Sequence, residues 1–201
     1  MRIGVLGTGV VGKTIAAKLR ELGHDVLVGS RTAGADAVPF ADAAAHGGLV
    51  FNCTNGAASL EALHGADAAN LAGKVLVDVS NPLSGSRDAP LFVSNDDSLG
   101  ERIQRAFPET KVVKSLHTVN ASVMVDPARV PGAHDIFVSG NDAGAKAQVS
   151  ELLQSFGWPA EHILDLGDIS SARGTEMYIA LWLRLWQTVG SADFNIHVVA
   201  G

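Results

Sequence analysis

The sequence predicts an α/β protein: a Rossmann-like, doubly wound parallel sheet with an additional C-terminal helix. Short apolar runs without strict alternation recur along the 201 residues, as in strands buried on both faces of a parallel sheet. Segments with helical spacing separate these runs, which is typical of βαβ units. A glycine-rich turn, GTGVVG, follows the first run and opens the first helix, where a Rossmann fold binds a dinucleotide.

Each element follows from its local pattern. The predicted strands are 2–6, 25–29, 48–53, 74–80, 111–116 and 134–140. The first helix is predicted from apolar residues at helical spacing and ends at Gly23. Further predicted helices cover 57–71 with a break near Gly65, 98–107, 143–156 and 171–189, and 81–88 is predicted as a loop. We predict a dinucleotide-binding domain over 1–165 and a helical extension over 166–201, packed on that domain or on a partner subunit.

Composition restricts the function classes. One cysteine, Cys53, excludes an internal disulfide and a multi-cysteine zinc site and fits a reducing compartment. A net charge of −6 argues against a broad nucleic-acid surface. The apolar run at the N-terminus is too short for a signal peptide, and the segment 177–186 is too short to span a bilayer. We therefore expect a soluble, cytoplasmic protein without nucleic-acid or membrane partners. The scattered histidines His24, His46 and His64 indicate no metal site.

The segment GTGVVGKT (7–14) matches two nucleotide-binding patterns at once. As G-x-G-x-x-G it is the dinucleotide fingerprint, and as G-x-x-x-x-G-K-[ST] it is a phosphate loop with Lys13 and Thr14. Asp78, after the run VLV, is the acidic residue that a phosphate-loop enzyme would use to hold magnesium. The second predicted strand follows the first helix at once, as in a compact βαβ unit, which favours the dinucleotide interpretation.

The end of the second predicted strand selects the nucleotide. NAD enzymes place an acidic residue there to bind the ribose 2′-hydroxyl. This chain has Ser30, Arg31 and Thr32, and no acidic residue lies nearer to them along the chain than Asp36. A guanidinium pairs with a 2′-phosphate and stacks on adenine, and the flanking hydroxyls can donate to the same phosphate. The pattern therefore predicts NADP(H).

With these motifs placed, the chain resembles the NADPH:F420 oxidoreductases, which pass a hydride between NADP(H) and a deazaflavin coenzyme. The matching segments are GTGVVG, GHDVLVGSR, NPL (81–83), SLHTVNA (115–121) and FNI (194–196). The resemblance implies NADP(H) as cofactor and F420, or a flavin, as co-substrate. The NADP-binding residues that the motifs and the resemblance indicate are Gly7, Thr8, Gly9, Val10, Val11, Gly12, Ser30, Arg31, Thr32, Thr54, Asn55, Asn81, Pro82 and Ala121. Some relatives place a lysine shortly after the arginine, whereas this chain continues TAGADA.

His117 is the candidate catalytic residue. It follows the fifth predicted strand, at the edge where α/β sheets bind ligands, and its imidazole can donate to a ring carbonyl or a carboxamide. A purely structural hydrogen bond is the alternative. The co-substrate can instead be a flavin, a ferric chelate or a small carbonyl compound, and a non-catalytic NADP-sensing module is the rival from another class. The cytoplasmic domains of membrane metalloreductases also resemble this chain.

The segment MYIALWLRLW (177–186) is apolar nearly all round. A helix of this kind is buried on several sides. We predict first that it forms a homodimer interface, and second that it forms a wall of the acceptor pocket.

Overall fold

One mixed sheet forms the centre of the computed structural model, which describes residues 1–84 and 91–201. Residues 85–88 of the predicted loop 81–88 therefore lie outside the described part. The sheet order is β3-β2-β1-β4-β5-β6-β7-β8. The strands are β1 (Arg2–Leu6), β2 (Asp25–Ser30), β3 (Val38–Pro39), β4 (Leu49–Asn52), β5 (Val75–Asp78), β6 (Lys111–Ser115), β7 (Ile136–Gly140) and β8 (Ile163–Asp165).

The sheet differs from the predicted parallel arrangement at one pairing. All neighbours are parallel except β6 and β7, which pair antiparallel with Lys114 opposite Ser139. The chain between them holds a short α-helix, one turn of 3₁₀ helix and loops, so β7 begins at the edge where β6 ends. The two-residue β3 and three-residue β8 were not predicted, because such short strands have no apolar run of their own.

Helices cover both faces of the sheet, as the predicted doubly wound fold requires. They are α1 (Val10–Glu21), α2 (Phe40–His46), α3 (Ser59–Gly65), α4 (Ala68–Leu71), α5 (Leu99–Ala106), α6 (Ala121–Val125), α7 (Ala143–Ser155) and α8 (Ala172–Val189). One core contains side chains of α1, α6 and α7, and the other contains side chains of α2 to α5. Each fully buried leucine, such as Leu19 or Leu63, stabilises the fold by about 1.5–3 kcal/mol through the hydrophobic effect.

The C-terminal helix is joined to the sheet by buried charges. Lys114 of β6 lies 2.7 Å from the Asp78 carboxylate of β5 and 2.8 Å from the Glu176 carboxylate of α8. Glu176 also accepts hydrogen bonds from the backbone N–H groups of Leu99 and Gly100, at 2.7 and 2.9 Å. Burial by itself disfavours the ammonium, but the two carboxylates outweigh it and hold the pKa of Lys114 above its usual value. This network positions α8 against the first turn of α5.

In the described ranges, no helix is long and apolar enough to cross a lipid bilayer. The proposed division at residue 165 stays a prediction.

Candidate active site

The glycine turn after β1 is shaped by close backbone contacts. Gly7 has φ 120°, and a Cβ there would lie 2.6 Å from the carbonyl oxygen of Cys53. A Cβ on Gly12 would lie 2.0 Å from the carbonyl oxygen of Gly7. Side chains at these two positions would push α1 away from the loop, so both glycines are explained by packing within the chain.

Gly9 has a different environment. It is the residue before α1, with φ −71°, and a Cβ there would meet no atom within 4 Å. Neither strain nor packing within the described chain therefore calls for glycine. The open space lies in front of the N-terminus of a 12-residue helix whose first turn contains no acidic residue. Backbone N–H groups at such a terminus bind anions, and a residue without a side chain allows a pyrophosphate to approach closely.

The alternative phosphate-loop interpretation loses its acidic residue. Asp78 is fully buried, lies 2.7 Å from Lys114 Nζ, and accepts hydrogen bonds from Asn52 and Ser80 at 2.8 and 2.7 Å. A carboxylate committed to these partners cannot hold magnesium beside the loop. Lys13 is exposed on the first turn of α1. The structure therefore favours the dinucleotide interpretation of GTGVVG.

A first cavity of about 840 Å³ extends from the glycine turn to the end of β2. Ser30, Arg31 and Thr32 line its far end. Arg31 is exposed and has no ion pair within residues 1–84 and 91–201, so its guanidinium is available to a phosphate. The Ser30 hydroxyl donates to the carbonyl of Thr32. Glu61 of α3 lines the same cavity and was not predicted. It is 30 positions from Arg31, and the sequence does not show which element packs beside the predicted helix that contains it.

A second cavity of about 470 Å³ lies at the carboxyl ends of β4, β5 and β6. Cys53, Thr54 and Asn55 line both cavities, so the loop after β4 is their common boundary. The second cavity is also lined by Val10, Val11, Asn81, His117, Asn120, Ala121, Met124, Ile179 and Trp182. Ile179 and Trp182 belong to α8, so this helix forms part of the wall of the second cavity. Its role as a wall of the acceptor pocket stays a prediction.

A buried polar network fixes the loop between the cavities. Thr54 donates through Oγ1 to Asn52 Oδ1 at 2.6 Å, and Asn52 donates to Asp78 at 2.8 Å. Asn55 Oδ1 accepts the N–H of Ala57 at 3.0 Å. The hydroxyl of Thr54 and the Oδ1 of Asn55 are thus engaged within the chain, so these two groups shape the loop.

Asn81 and His117 meet at the second cavity. Asn81 Nδ2 donates to the carbonyl of His117 at 2.8 Å, which ties the loop after β5 to the loop after β6. The opposite end of the amide, Asn81 Oδ1, is buried without a hydrogen-bond partner in the described chain. Neither ring nitrogen of His117 makes a well-formed hydrogen bond in the described chain, although the carbonyls of Ser115 and Thr175 face the ring closely enough to affect its pKa. Orphaned buried polar atoms are costly, so a cavity lined by them fits a polar ligand.

His117 is held neutral by its surroundings. It is 3% exposed, and burial together with the positive charge of Lys114 lowers its pKa well below the usual value. The carbonyls of Ser115 and Thr175 only moderate this shift. Leu116 before it has φ 66°, a left-handed conformation that costs a non-glycine residue about 1–2 kcal/mol. That turn ends β6 and brings His117 to the cavity.

The predicted site residues therefore divide into three groups. Twelve of the fourteen predicted cofactor-binding residues, and His117, line one of these two cavities. Gly12 contacts the glycine turn instead, and Pro82 is buried and lines neither cavity. Burial, with Asp78 nearby, raises the pKa of the Cys53 thiol, which argues against a thiolate role.

Sequence reasoning missed Lys114 and Glu176. Lys114 directly follows two valines of β6, and Glu176 directly precedes the apolar segment 177–183 of α8. A charged residue beside such an apolar run was the available indication that each has a partner in the core.

Comparison with known proteins places this site in a family. Residues 2–82 match the family described as NADP oxidoreductase, coenzyme F420-dependent. The crystal structure of a protein from Arthrobacter sp. FB24, provisionally assigned as an F420-dependent NADP reductase, is 49% identical with a TM-score of 0.94, and the alignment covers 100% of both chains. The chain belongs to the F420-dependent NADP oxidoreductase family. This membership confirms the predicted resemblance and the Rossmann-like fold, and it makes the chain an NADP-dependent oxidoreductase by class.

Other members and relatives of the F420-dependent NADP oxidoreductase family differ in length. The F420-dependent NADP reductase of Methanocaldococcus jannaschii is 30% identical over 118 residues, which is 57% of this chain and 52% of that protein. Metalloreductase STEAP3 of Rattus norvegicus is 30% identical over 197 residues, which is 92% of this chain. The chain spans 38% of the length of that metalloreductase.

Proposed function

We propose that the chain transfers a hydride between NADP(H) and a deazaflavin coenzyme, F420. The observation that supports this best is the pair of cavities with a common boundary at Cys53–Asn55. One ends at an unpaired guanidinium and the other at orphaned polar atoms beside an apolar wall. The guanidinium end suits the 2′-phosphate of one extended dinucleotide, the glycine turn suits its pyrophosphate, and the second cavity suits its nicotinamide.

The chain's own groups would hold NADP(H) along this path. The N-terminus of α1, opened by Gly9, would bind the pyrophosphate through backbone N–H groups. Arg31 would pair with the 2′-phosphate, with Ser30 and Thr32 beside it. Glu61 in the same cavity would oppose that phosphate by charge repulsion and so limit the preference for NADP(H).

The second cavity would orient the nicotinamide. Asn81 Oδ1 is a free acceptor for a carboxamide N–H, and its Nδ2 is already fixed on the His117 carbonyl. His117 would bind a ring carbonyl or the carboxamide as a neutral imidazole, one nitrogen donating and the other accepting. Ala121, at the first turn of α6, lines the same end of the cavity.

A bound nicotinamide supplies or accepts the hydride, and the protein's task is positioning. The apolar side chains of Val11, Met124, Ile179 and Trp182 would exclude water from the two stacked rings. Because hydride transfer needs near-attack distance more than acid–base assistance, this site has no need of a charged catalytic group. Neutral His117 agrees with that requirement.

The test is NADPH oxidation measured against F420, FMN, ferric citrate and no acceptor. We expect turnover with F420 well above the other three conditions. His117→Gln should reduce that turnover, whereas His64→Ala, an exposed histidine on α3, should not. Turnover with FMN or ferric citrate and none with F420 would contradict the proposed acceptor. NADPH binding without turnover on any acceptor would favour the sensing module.

Ferric reduction is the second candidate. Its support is the metalloreductase relative, which aligns with 92% of this chain, and the ferric citrate measurement tests it directly.

We also propose that the chain forms a homodimer through the outer face of α8. Leu181 and Met177 are 54% and 37% exposed, although the opposite side of the helix is buried. Leu181→Glu should shift the sedimenting species from dimer to monomer and lower the melting temperature only by what association contributes. Trp182, at the cavity wall, is unsuitable for this test. A monomeric wild type at micromolar concentrations would refute the proposal. A cytoplasmic location stays a prediction.

A further inference from the structure

The C-terminal tail, residues 191–198, crosses from the end of α8 to the start of β7. Asp193 accepts a hydrogen bond from Ser122 at 2.7 Å and pairs with Arg129 at 2.6 Å. The Phe194 ring stacks on Trp182 with centroids 5.3 Å apart. Trp182 lines the second cavity, so the tail supports a wall of that cavity from outside.

Two histidines converge on one buried carboxylate where the tail meets the sheet. Asp135, immediately before β7, is 1% exposed. Its Oδ1 lies 2.8 Å from His162 Nδ1, and its Oδ2 lies 3.0 Å from His197 Nδ1 in the tail. One potential ligand atom from each residue lies within 4.8 Å of the other two. Among residues 1–84 and 91–201, no other three side chains of histidine, cysteine, aspartate or glutamate meet in this way.

We propose that Asp135, His162 and His197 bind a divalent transition-metal ion, with zinc as the test ion. Two imidazole nitrogens and one carboxylate oxygen form a ligand set that suits zinc and its neighbours in the first transition row, whereas magnesium and calcium prefer oxygen ligands alone. Three protein ligands leave a fourth position of a tetrahedral ion to water.

The geometry needs moderate adjustments. Bond lengths near 2.0–2.1 Å place the ligands of a tetrahedral ion about 3.3 Å apart. The 2.8 and 3.0 Å contacts would open by a few tenths of an ångström, and the histidine that now faces the other carboxylate oxygen would approach the liganding one from within 4.8 Å. Coordination through Nδ1 requires each neutral imidazole to keep its proton on Nε2 instead. His162 and His197 are 20% and 36% exposed, so water can accept that proton's hydrogen bond.

The carboxylate is held by a backbone donor as well as by the two histidines. The Val198 N–H, at 2.6 Å from Oδ2, uses neither imidazole, so this contact would remain when an ion replaces the histidine hydrogen bonds and would orient the carboxylate from outside.

A bound ion would connect three separate parts of the chain. His162 and His197 are 27 and 62 positions from Asp135, which is why no local sequence pattern indicates the site. Because His197 lies three residues after Phe194, the ion would fix the tail that backs Trp182. This inference is independent of the proposed hydride transfer.

The experiment is zinc titration of the full chain, free of any affinity tag, by calorimetry without nucleotide. We expect one ion per chain, bound in the micromolar range or tighter. Cobalt should bind at the same site and give the intense visible absorption of a four-coordinate ion. His162→Ala and His197→Ala should each weaken zinc binding at least 10-fold. Asp135→Asn keeps an oxygen to accept the Val198 N–H and should have the same effect.

Controls separate this site from other histidines. His64→Ala removes an exposed histidine on α3 and should leave zinc binding unchanged. His24→Ala tests the alternative pair formed by His24 Nδ1 and the N-terminal amine, which lie 3.2 Å apart. The proposal is overturned if wild type does not bind zinc, or if His162→Ala and His197→Ala both bind it as wild type does. NADPH affinity of the same variants, expected to be unchanged, shows that they are folded and keeps the outcome separate from that of the hydride-transfer assay.

Discussion

Arg31 offers the sharpest test of how this protein selects its nucleotide. We expect Arg31→Ala to weaken NADPH binding far more than NADH binding, because only NADPH has the 2′-phosphate that the guanidinium would contact. The side chain is exposed at the end of β2 and has no ion pair in the described chain. Binding the phosphate therefore breaks no existing salt bridge, and removing the side chain leaves no buried charge behind.

The magnitude follows from that exposure. A hydrogen bond to a charged group contributes about 1.5–3 kcal/mol, and water and salt at an exposed position favour the lower half of this range. The NADPH Kd should therefore rise about 10- to 40-fold. The NADH Kd should change only a few-fold, from lost stacking on adenine. Arg31→Lys keeps the charge but not the planar fork, so its effect should be intermediate.

The assay is a titration of each protein with NADPH and with NADH at low and high salt. High salt should reduce the wild-type preference for NADPH. Arg105→Ala is the matched control, because it removes an exposed guanidinium on α5 that lines neither cavity. Equal losses for both nucleotides would show that Arg31 acts through stacking or structure, and a wild type that prefers NADH would refute the assignment of its role.

Glu61 supplies a test of opposite sign within the same cavity. Glu61→Gln should strengthen NADPH binding by a few-fold and leave NADH nearly unchanged, because it removes a like charge near the 2′-phosphate. If Arg31 and Glu61 act on the same phosphate, the effects of the two substitutions should depend on each other in the double variant. If Glu61→Gln strengthened the binding of both nucleotides, or of neither, Glu61 would not act on the 2′-phosphate.

Three further expectations concern the phosphate loop, the buried charges and pH. Lys13→Ala should change NADPH affinity only slightly, and neither wild type nor variant should hydrolyse ATP with magnesium; hydrolysis lost in the variant would contradict the dinucleotide interpretation. Glu176→Gln should reduce the free energy of unfolding, measured in urea, by about 3 kcal/mol because it breaks a buried pair with Lys114. The control Glu161→Gln changes an exposed residue and should alter that free energy by no more than about 0.5 kcal/mol. Equal stability of Glu176→Gln and wild type would show that the pair is not stabilising. Because the pKa of His117 is lowered in the folded protein, the unfolded chain takes up this proton at a higher pH than the folded one. The contribution of His117 to the free energy of unfolding is therefore complete above the unfolded pKa near 6.5. It decreases as the pH falls below that value, by at most about 1.4 kcal/mol per pH unit. Urea unfolding at pH 7, 6 and 5 should therefore show a flatter pH dependence for His117→Gln than for wild type, and identical slopes would contradict neutral burial.

Local pattern was sufficient for most of the fold. Three predicted helices agree with the structure to within one residue at each end: 98–107 with α5, 143–156 with α7 and 171–189 with α8. The agreement is close because a capping residue or a glycine marks most of these helix ends. The break near Gly65 is present between α3 and α4. The antiparallel pairing of β7 could not be predicted in this way. Strand direction depends on where the connecting chain crosses, and an apolar run has the same pattern in either direction.

The sequence by itself determined the glycine turn, the basic end of β2 and the buried strands, because these depend on backbone conformation and burial over a few neighbouring residues. Only the tertiary structure decided which side chains have partners. It placed Asp78 in an ion pair with Lys114 instead of beside the glycine turn, brought Glu61 into the cavity of Arg31, and set Trp182 at a cavity wall. It also gathered a carboxylate and two histidines from three distant segments. The physical reason is that hydrogen bonds and charge interactions act over a few ångströms in space, and separation along the chain does not reveal which groups come that close.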